Sequence, residues 1–152
     1  ATRCAEKLRS QSCSANIAHL FIMTNPYRLD LKQNIIYKTI QFPIATNDTG
    51  EILDYILDTF KKVYKKGYYY KKAGVILSGI IPTNHVQCNM FDKKNRKKSK
   101  VIMNTIDLIN KKMGRDSIRY ATQGYYSNWK LKQERLSPCY TTRWKDLLKI
   151  YI

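Results

Sequence analysis

The sequence predicts an α+β fold: a small sheet with helices on one face, followed by a small mixed α/β C-terminal region. Three observations predict it. A ten-residue stretch from Ile35 alternates apolar and polar residues, the signature of a half-buried strand. The stretch after Asp48 carries apolar residues at helical spacing over four turns. Two further runs, one before and one after this pair, are rich in β-forming residues, giving the order α-β-β-α-β. With 152 residues, of which 43% are hydrophobic, the chain can build one ordinary domain or two small ones and is not disordered as a whole.

The elements follow in order. Ala1 to Arg9 is a charged helical pattern. Asn16 to Thr24 reads as a strand that stops at Asn25-Pro26. From Ile35 to Ile44, Ile36, Ile40, Phe42 and Ile44 share one face and Tyr37, Thr39 and Gln41 the other; Pro43 puts this strand at an edge. Asp48 caps the next helix, and Glu51, three residues on, completes a box-like pair. Ile52, Leu53, Ile56, Leu57, Phe60, Val63 and Tyr64 form its stripe; Lys61, Lys62, Lys65 and Lys66 crowd its last turns, and Gly67 ends it. Tyr69 to Ile80 is the third strand.

These elements make residues 1–82 one domain. Residues 83–98 read as an exposed basic linker and 99–152 as a separate C-terminal region. In the latter, Ser99 caps a helix with Ile102, Ile106, Ile109 and Met113 on one face, Ser117 to Ala121 is a short strand, and an aromatic, basic segment runs through Trp129. Leu147, Leu148 and Ile150 close the chain. A tail of this size is marginal as an independent fold and is expected to dock on something.

Charge narrows the function. Lys and Arg number 28 against 11 acidic residues, a net charge of +17. Such an excess repels itself in a compact chain and calls for a polyanionic partner, nucleic acid before an anionic membrane surface. An AT-rich genome inflates Lys, Asn, Ile and Tyr together and accounts for part of the excess. No apolar run approaches the ~20 residues of a membrane span, and the first ten residues are no signal peptide. Cys4, Cys13, Cys88 and Cys139 are scattered, and with His19 and His85 they make no metal-ligand spacing; reduced thiols in a cytoplasmic protein are the simplest account.

Catalytic patterns are not found. Asp48, Glu51, Asp54 and Asp58 lie mainly on one helix, the last three off its apolar stripe, so they read as a solvated face rather than a two-metal site. No phosphate-binding glycine loop or nucleophile elbow occurs, and His19, inside an apolar strand, reads as a satisfied histidine. The sequence therefore contains no enzyme, no cofactor site and no metal site.

Binding chemistry is better represented. Tyr68, Tyr69, Tyr70, Lys71 and Lys72 enter a strand together; alternation pairs Lys71 with Tyr69 on one face and Lys72 with Tyr70 on the other. On residues alone, a strand laid along a sugar-phosphate backbone and a solvated strand end fit equally well. Lys93, Lys94, Arg96, Lys97 and Lys98 form the densest basic run and are expected to bind DNA as well. Just before it, Gln87, Asn89, Met90 and Phe91 suit a peptide that docks in a groove, its amide bonding at one end while Met90 and Phe91 fill a pocket. A plug of the same residues against their own domain is the competing account.

The strings GRDSIRYATQGYYSNWKLKQERLSPCYTTRWKDLLKI and YKKGYYYKKAGVILSGI resemble the C-terminal part of the UmuC family, catalytic subunits of Y-family translesion polymerases of the polymerase V kind. Ser137 to Trp144 (SPCYTTRW) carries most of the resemblance, and ATRCAEKLR and FPIATNDTGEI look like the family's little-finger domain. The resemblance runs over essentially the whole chain. It implies that the little-finger sheet grips primer-template DNA, with Tyr69, Lys71 and Lys72 on a DNA-facing strand. It implies that Gln87, Asn89, Met90 and Phe91 form a sliding-clamp-binding pentapeptide in which Cys88 departs from the usual leucine, at a cost in affinity. It also implies the UmuD′ dimer and the RecA filament as partners, with no membrane association.

The family's palm and fingers, whose carboxylates bind Mg2+, would precede Ala1, as would the first strand of the little finger. The sheet is accordingly expected to lack an outer strand, and the chain alone to be marginally stable or self-associating. The function expected is the non-catalytic C-terminal portion of an error-prone translesion polymerase, binding damaged primer-template DNA and the clamp in the SOS response. Two alternatives are a stand-alone truncated protein competing for clamp or DNA, and an unrelated basic RNA-binding module.

Overall fold

The computed structural model describes residues 1–87, 89–92, 94–125 and 135–147. Its elements are α1 (Thr2–Ser10), β1 (Cys13–Thr24), β2 (Ile35–Thr46), α2 (Thr49–Val63), β3 (Tyr70–Pro82) and α3 (Arg96–Met113), with short 3-10 turns at Thr83–His85, Ala121–Gln123 and Trp144–Asp146. The three strands form an antiparallel sheet in the order β2-β1-β3. The fold is α+β in the predicted order.

The core sits between one face of this sheet and the helices α1 and α2. Ala18, Leu20 and Ile22 of β1, Ile36, Ile40 and Phe42 of β2, Ala5 of α1, and Ile52 and Ile56 of α2 are all buried together. The alternation in β2 is what puts Ile36, Ile40, Phe42 and Ile44 inside and Tyr37, Thr39 and Gln41 outside. β2 is an edge strand, and its pairing with β1 slips between the Ile17–Gln41 and Ala15–Thr46 partners. Pro43 lies in that slip and has no N–H to give the ladder.

α2 is capped by Asp48, whose Oδ1 accepts the Glu51 N–H at 3.1 Å. The reciprocal half of the capping box does not form. The Thr46 hydroxyl accepts the Asp48 N–H instead, at 3.2 Å, and donates to Glu51 Oε2 at 2.6 Å. The Glu51 side chain thereby turns inward, so it is buried rather than part of a solvated face. The helix also stops short of Gly67. Tyr64 is its C-cap with extended backbone and is exposed, while Gly67, at φ +92°, serves the turn into β3.

The chain divides into two compact units, Ala1–Arg119 and Tyr120–Ile152. α3 belongs to the first. Its cap is Asn95, whose side chain accepts the Lys98 N–H at 3.0 Å, so Arg96, Lys97 and Lys98 are helix rather than linker. Ser99, expected to cap, donates its hydroxyl to Asp48 instead. Met103 is the buried residue of α3; Ile106 and Ile109 are half-buried, and Ile102 and Met113 are exposed. The predicted apolar stripe is therefore not the docked face. That face carries Arg96, Ser99, Met103 and Asp107 at helical spacing: Met103 is buried, and Arg96, Ser99 and Asp107 bond to Glu51, Asp48 and Arg9.

No strand forms at Ser117 to Ala121. Asn110 Nδ2 donates to the Ile118 carbonyl at 2.9 Å and Asn110 Oδ1 accepts the Ile118 N–H at 2.8 Å, so a side chain supplies both bonds a strand partner would. In the second unit, the Cys139 N–H donates to Asp146 Oδ2 at 2.9 Å, and Trp144 is exposed. The aromatic segment from Tyr126 through Trp129, together with Leu148 and Ile150, lies outside the described residues.

Candidate nucleic-acid interface and partner-binding loop

The second face of the sheet is not covered by α1 or α2. Antiparallel partners lie side by side on one face, which fixes its rows: Thr39, His19 and Ile76; Tyr37, Phe21 and Gly74; Ile35, Met23 and Lys72. At its centre the His19 ring bonds to the Thr39 hydroxyl through Nδ1 at 3.1 Å and to the Ser78 hydroxyl through Nε2 at 2.8 Å, and stacks on Tyr37 at 5.7 Å. Both ring nitrogens are engaged, as a satisfied histidine requires. The Phe21 ring lies across Gly74, where any β-carbon would collide with it. None of the three strands contains an Asp or Glu.

Where β3 begins, alternation fails. Met23 pairs with Lys72 but Thr24 pairs with Tyr70, so Lys71 is the extra residue of a bulge. Lys72 stands on the open face, whereas Tyr70 lies opposite the buried Thr24 and packs against the core. Lys72 and Tyr70 therefore do not share a face. The Tyr70 hydroxyl accepts from Asn34 Nδ2 at 2.8 Å and donates to the Lys65 carbonyl at 3.3 Å, tying the β1–β2 connection to the end of α2. Tyr69, 75% exposed, and Lys71 remain in solvent.

Antiparallel topology gathers more charge at this end than the β3 run alone. The β1–β2 connection, the end of α2 and the start of β3 meet here. Residues 25–38 and 58–72 contain Arg28, Lys32, Lys38, Lys61, Lys62, Lys65, Lys66, Lys71 and Lys72 against Asp30 and Asp58. Asp30 is taken up by Arg28, whose Nη2 lies 2.6 Å from Asp30 Oδ2. A ladder of rings runs between these cations, Phe60 to Tyr64 at 5.3 Å, Tyr64 to Tyr70 at 5.7 Å and Tyr70 to Tyr68 at 6.1 Å. Seven of these nine cations escape the sequence reading as binding groups, because they come from segments distant along the chain that only the fold brings together.

The other predicted cations lie toward the opposite end of β3, a strand roughly 40 Å long at ~3.3 Å per residue. Lys93 lies outside the described residues; Lys97 and Lys98 are exposed on the first turn of α3. Arg96 is committed elsewhere. Its Nη1 lies 2.8 Å from Glu51 Oε2 and its Nε 2.6 Å from Asp92 Oδ2. Lys94 Nζ approaches Glu51 Oε1 at 3.9 Å. The predicted DNA-binding residues thus form two groups, not one patch.

Ahead of Arg96, the Asn89 side chain accepts the Phe91 N–H at 3.0 Å and its carbonyl accepts the Asp92 N–H at 3.1 Å, folding a tight turn. Met90 and Phe91 project from it, 91% and 83% exposed, and Gln87 is exposed as well; Cys88 lies outside the described residues. Met90 and Phe91 do not plug their own domain. Among the described residues no group of three His, Cys, Asp or Glu converges as metal ligands, and no helix is long and apolar enough to cross a membrane.

Comparison with known proteins decides the lineage. The model of the impB/mucB/samB family C-terminal domain matches residues 1–90, more than half of the chain. The chain belongs to this family. A second model, described as a domain of unknown function, matches residues 100–150. UmuC of Salmonella typhimurium is 32% identical over 151 residues, covering 99% of this chain and 36% of the relative. ImpB of Salmonella typhimurium is 32% identical over 148 residues, and MucB of Escherichia coli 29% over 148, each covering 97% of the chain. The chain thus spans about a third of the length of the curated relatives it matches, 36%, 35% and 34% in turn. As an impB/mucB/samB member it is a UmuC-like C-terminal part.

Proposed function

We propose that this chain forms the non-catalytic C-terminal portion of a UmuC-like translesion DNA polymerase. It holds damaged primer-template DNA along the open sheet face and the basic end, and tethers the enzyme to the sliding clamp through the loop at Gln87 to Phe91. Nucleotide transfer, with its Mg2+ carboxylates, belongs to a palm domain outside this sequence. UmuD′ and RecA are the expected regulatory partners, acting in the SOS response in the cytoplasm.

One observation carries the DNA reading: an open sheet face without a single acidic residue, at one end of which the chain gathers nine cations and their tyrosines. Such a surface attracts phosphates and reads no base sequence, as bypass of damaged bases requires. The exposure of Met90 and Phe91 supports the tether, since adjacent large apolar side chains left in water suit a partner's pocket.

Fluorescence-detected binding to duplexes of equal length and different sequence, and to the clamp, tests both arms. Affinity should be indifferent to sequence, and Phe91→Ala should abolish clamp binding while leaving DNA affinity nearly unchanged. Strong sequence discrimination refutes the first arm, and equal loss of both activities refutes the second.

A further inference from the structure

The loop that carries Gln87 to Phe91 leaves the body of the protein at Thr83 and rejoins it at Arg96. Both feet are bonded to the segment where β2 runs into α2. At the first, the Thr83 N–H donates to the Ser12 carbonyl at 2.9 Å, and Asn47 Nδ2 donates to the Thr83 hydroxyl at 3.4 Å. At the second, Arg96 reaches the buried Glu51, which also receives the Thr46 hydroxyl. Arg96 bonds in the other direction as well, to Asp92, the residue next to Phe91, and the Asp92 carboxylate accepts the Lys94 N–H at 3.1 Å.

Glu51 is only 4% exposed, and if it released Arg96 the cation left to its buried carboxylate would be Lys94, at the longer distance of 3.9 Å. Arg96 is therefore held from below, and through Asp92 it holds the turn above. None of these three residues is part of the pentapeptide itself.

We propose that Arg96, seated on Glu51, is a positioning residue that presents Met90 and Phe91 as a preformed loop rather than a free peptide. The proposal rests on the clamp-tether reading for the identity of the partner but not for the pinning. A partner meeting a pinned loop need not pay its ordering entropy, so the loop binds more tightly than the same residues in a free chain.

Two measurements on the whole chain separate the proposal from the reading beneath it. Hydrogen exchange at the amides of Phe91, Asp92 and Lys94 tests the pinning without any partner. These amides should be protected, and Asp92→Ala, which spares the Glu51–Arg96 pair, should speed their exchange about tenfold; Arg96→Met should do the same if the variant folds. Unprotected amides in the unaltered chain overturn the proposal.

Titration with the purified clamp then compares the chain with a synthetic peptide of residues 84–95. The peptide should bind about tenfold more weakly, and Asp92→Ala severalfold more weakly, than the unaltered chain. Equal affinity of peptide and chain also overturns the proposal. Protected amides with no clamp binding at all would leave the pinned loop standing and sink the clamp reading alone.

Discussion

Arg9 is the residue whose removal should be felt furthest. Its guanidinium bonds to Asp107 of α3 twice, at 2.6 and 2.7 Å, and to the Asn47 carbonyl and the Thr49 hydroxyl, each at 2.8 Å. One side chain thus joins α1, the start of α2 and α3, and it is only 9% exposed. Arg9→Met keeps most of the stem packing and removes all four bonds. Breaking a buried ion pair costs about 3–5 kcal/mol. Asp107 is 29% exposed and regains water once abandoned, which favours the lower end, about 3 kcal/mol.

With a urea dependence of about 2 kcal/mol/M, the unfolding midpoint should fall by about 1.5 M. A double-mutant cycle with Asp107→Leu isolates the pair and should return a coupling of about 1.5–3 kcal/mol. A loss below about 1 kcal/mol, or a coupling within about 0.5 kcal/mol of zero, would refute the view that α3 is docked through charge.

Three further outcomes are expected. Ile52→Ala opens a void beneath a side chain with no exposure and should cost about 2–5 kcal/mol, read by thermal unfolding. The Asp48 carboxyl feels burial, which raises its pKa. The bonds from Ser99 and from the Glu51 and Gly50 N–H groups, with the charge of Lys94, outweigh that and hold it below the usual range. Its contribution is thus fully present above the unfolded-state value of about 4 and lost as pH falls through the lower folded value. Acid titration followed by circular dichroism should therefore show Asp48→Asn less stable at neutral pH, with the difference shrinking below about pH 4. Finally, if the chain meets about six phosphates, log affinity for duplex DNA should fall with log salt at a slope of roughly −5, and Lys71→Ala with Lys72→Ala should flatten it by about two phosphate contacts. A slope that both substitutions leave unchanged would remove these lysines from the interface.

What was legible in the sequence is what local periodicity determines. The apolar face of β2 and the Asp48 cap each depend on residues within one element, and both formed as read. The misreadings share a different cause. Glu51 looks solvated because Arg96, one of the groups that hold it inside, is 45 residues away and looks equally solvated. The Lys71 bulge is a property of two strands, and no count along β3 alone contains it. α3 misled because its most apolar stripe is not the one it docks, and only Met103 among its apolar residues is buried. The basic end was invisible for a topological reason: Arg28, Lys66 and Lys72 become neighbours in one region only when two antiparallel strands and a helix end together.

The ring of Phe21 over Gly74 ties two positions 53 residues apart into one heritable unit. A side chain at position 74 is admissible only if the ring at position 21 shrinks or swings away, and a smaller residue at 21 bares the glycine backbone to water. Neither position can drift by itself, so surviving variants should change as matched pairs, Gly74→Ala together with Phe21→Leu. A library randomised at both positions and sorted for folding would show that linkage as a correlation between the two sites that neither site's own composition contains.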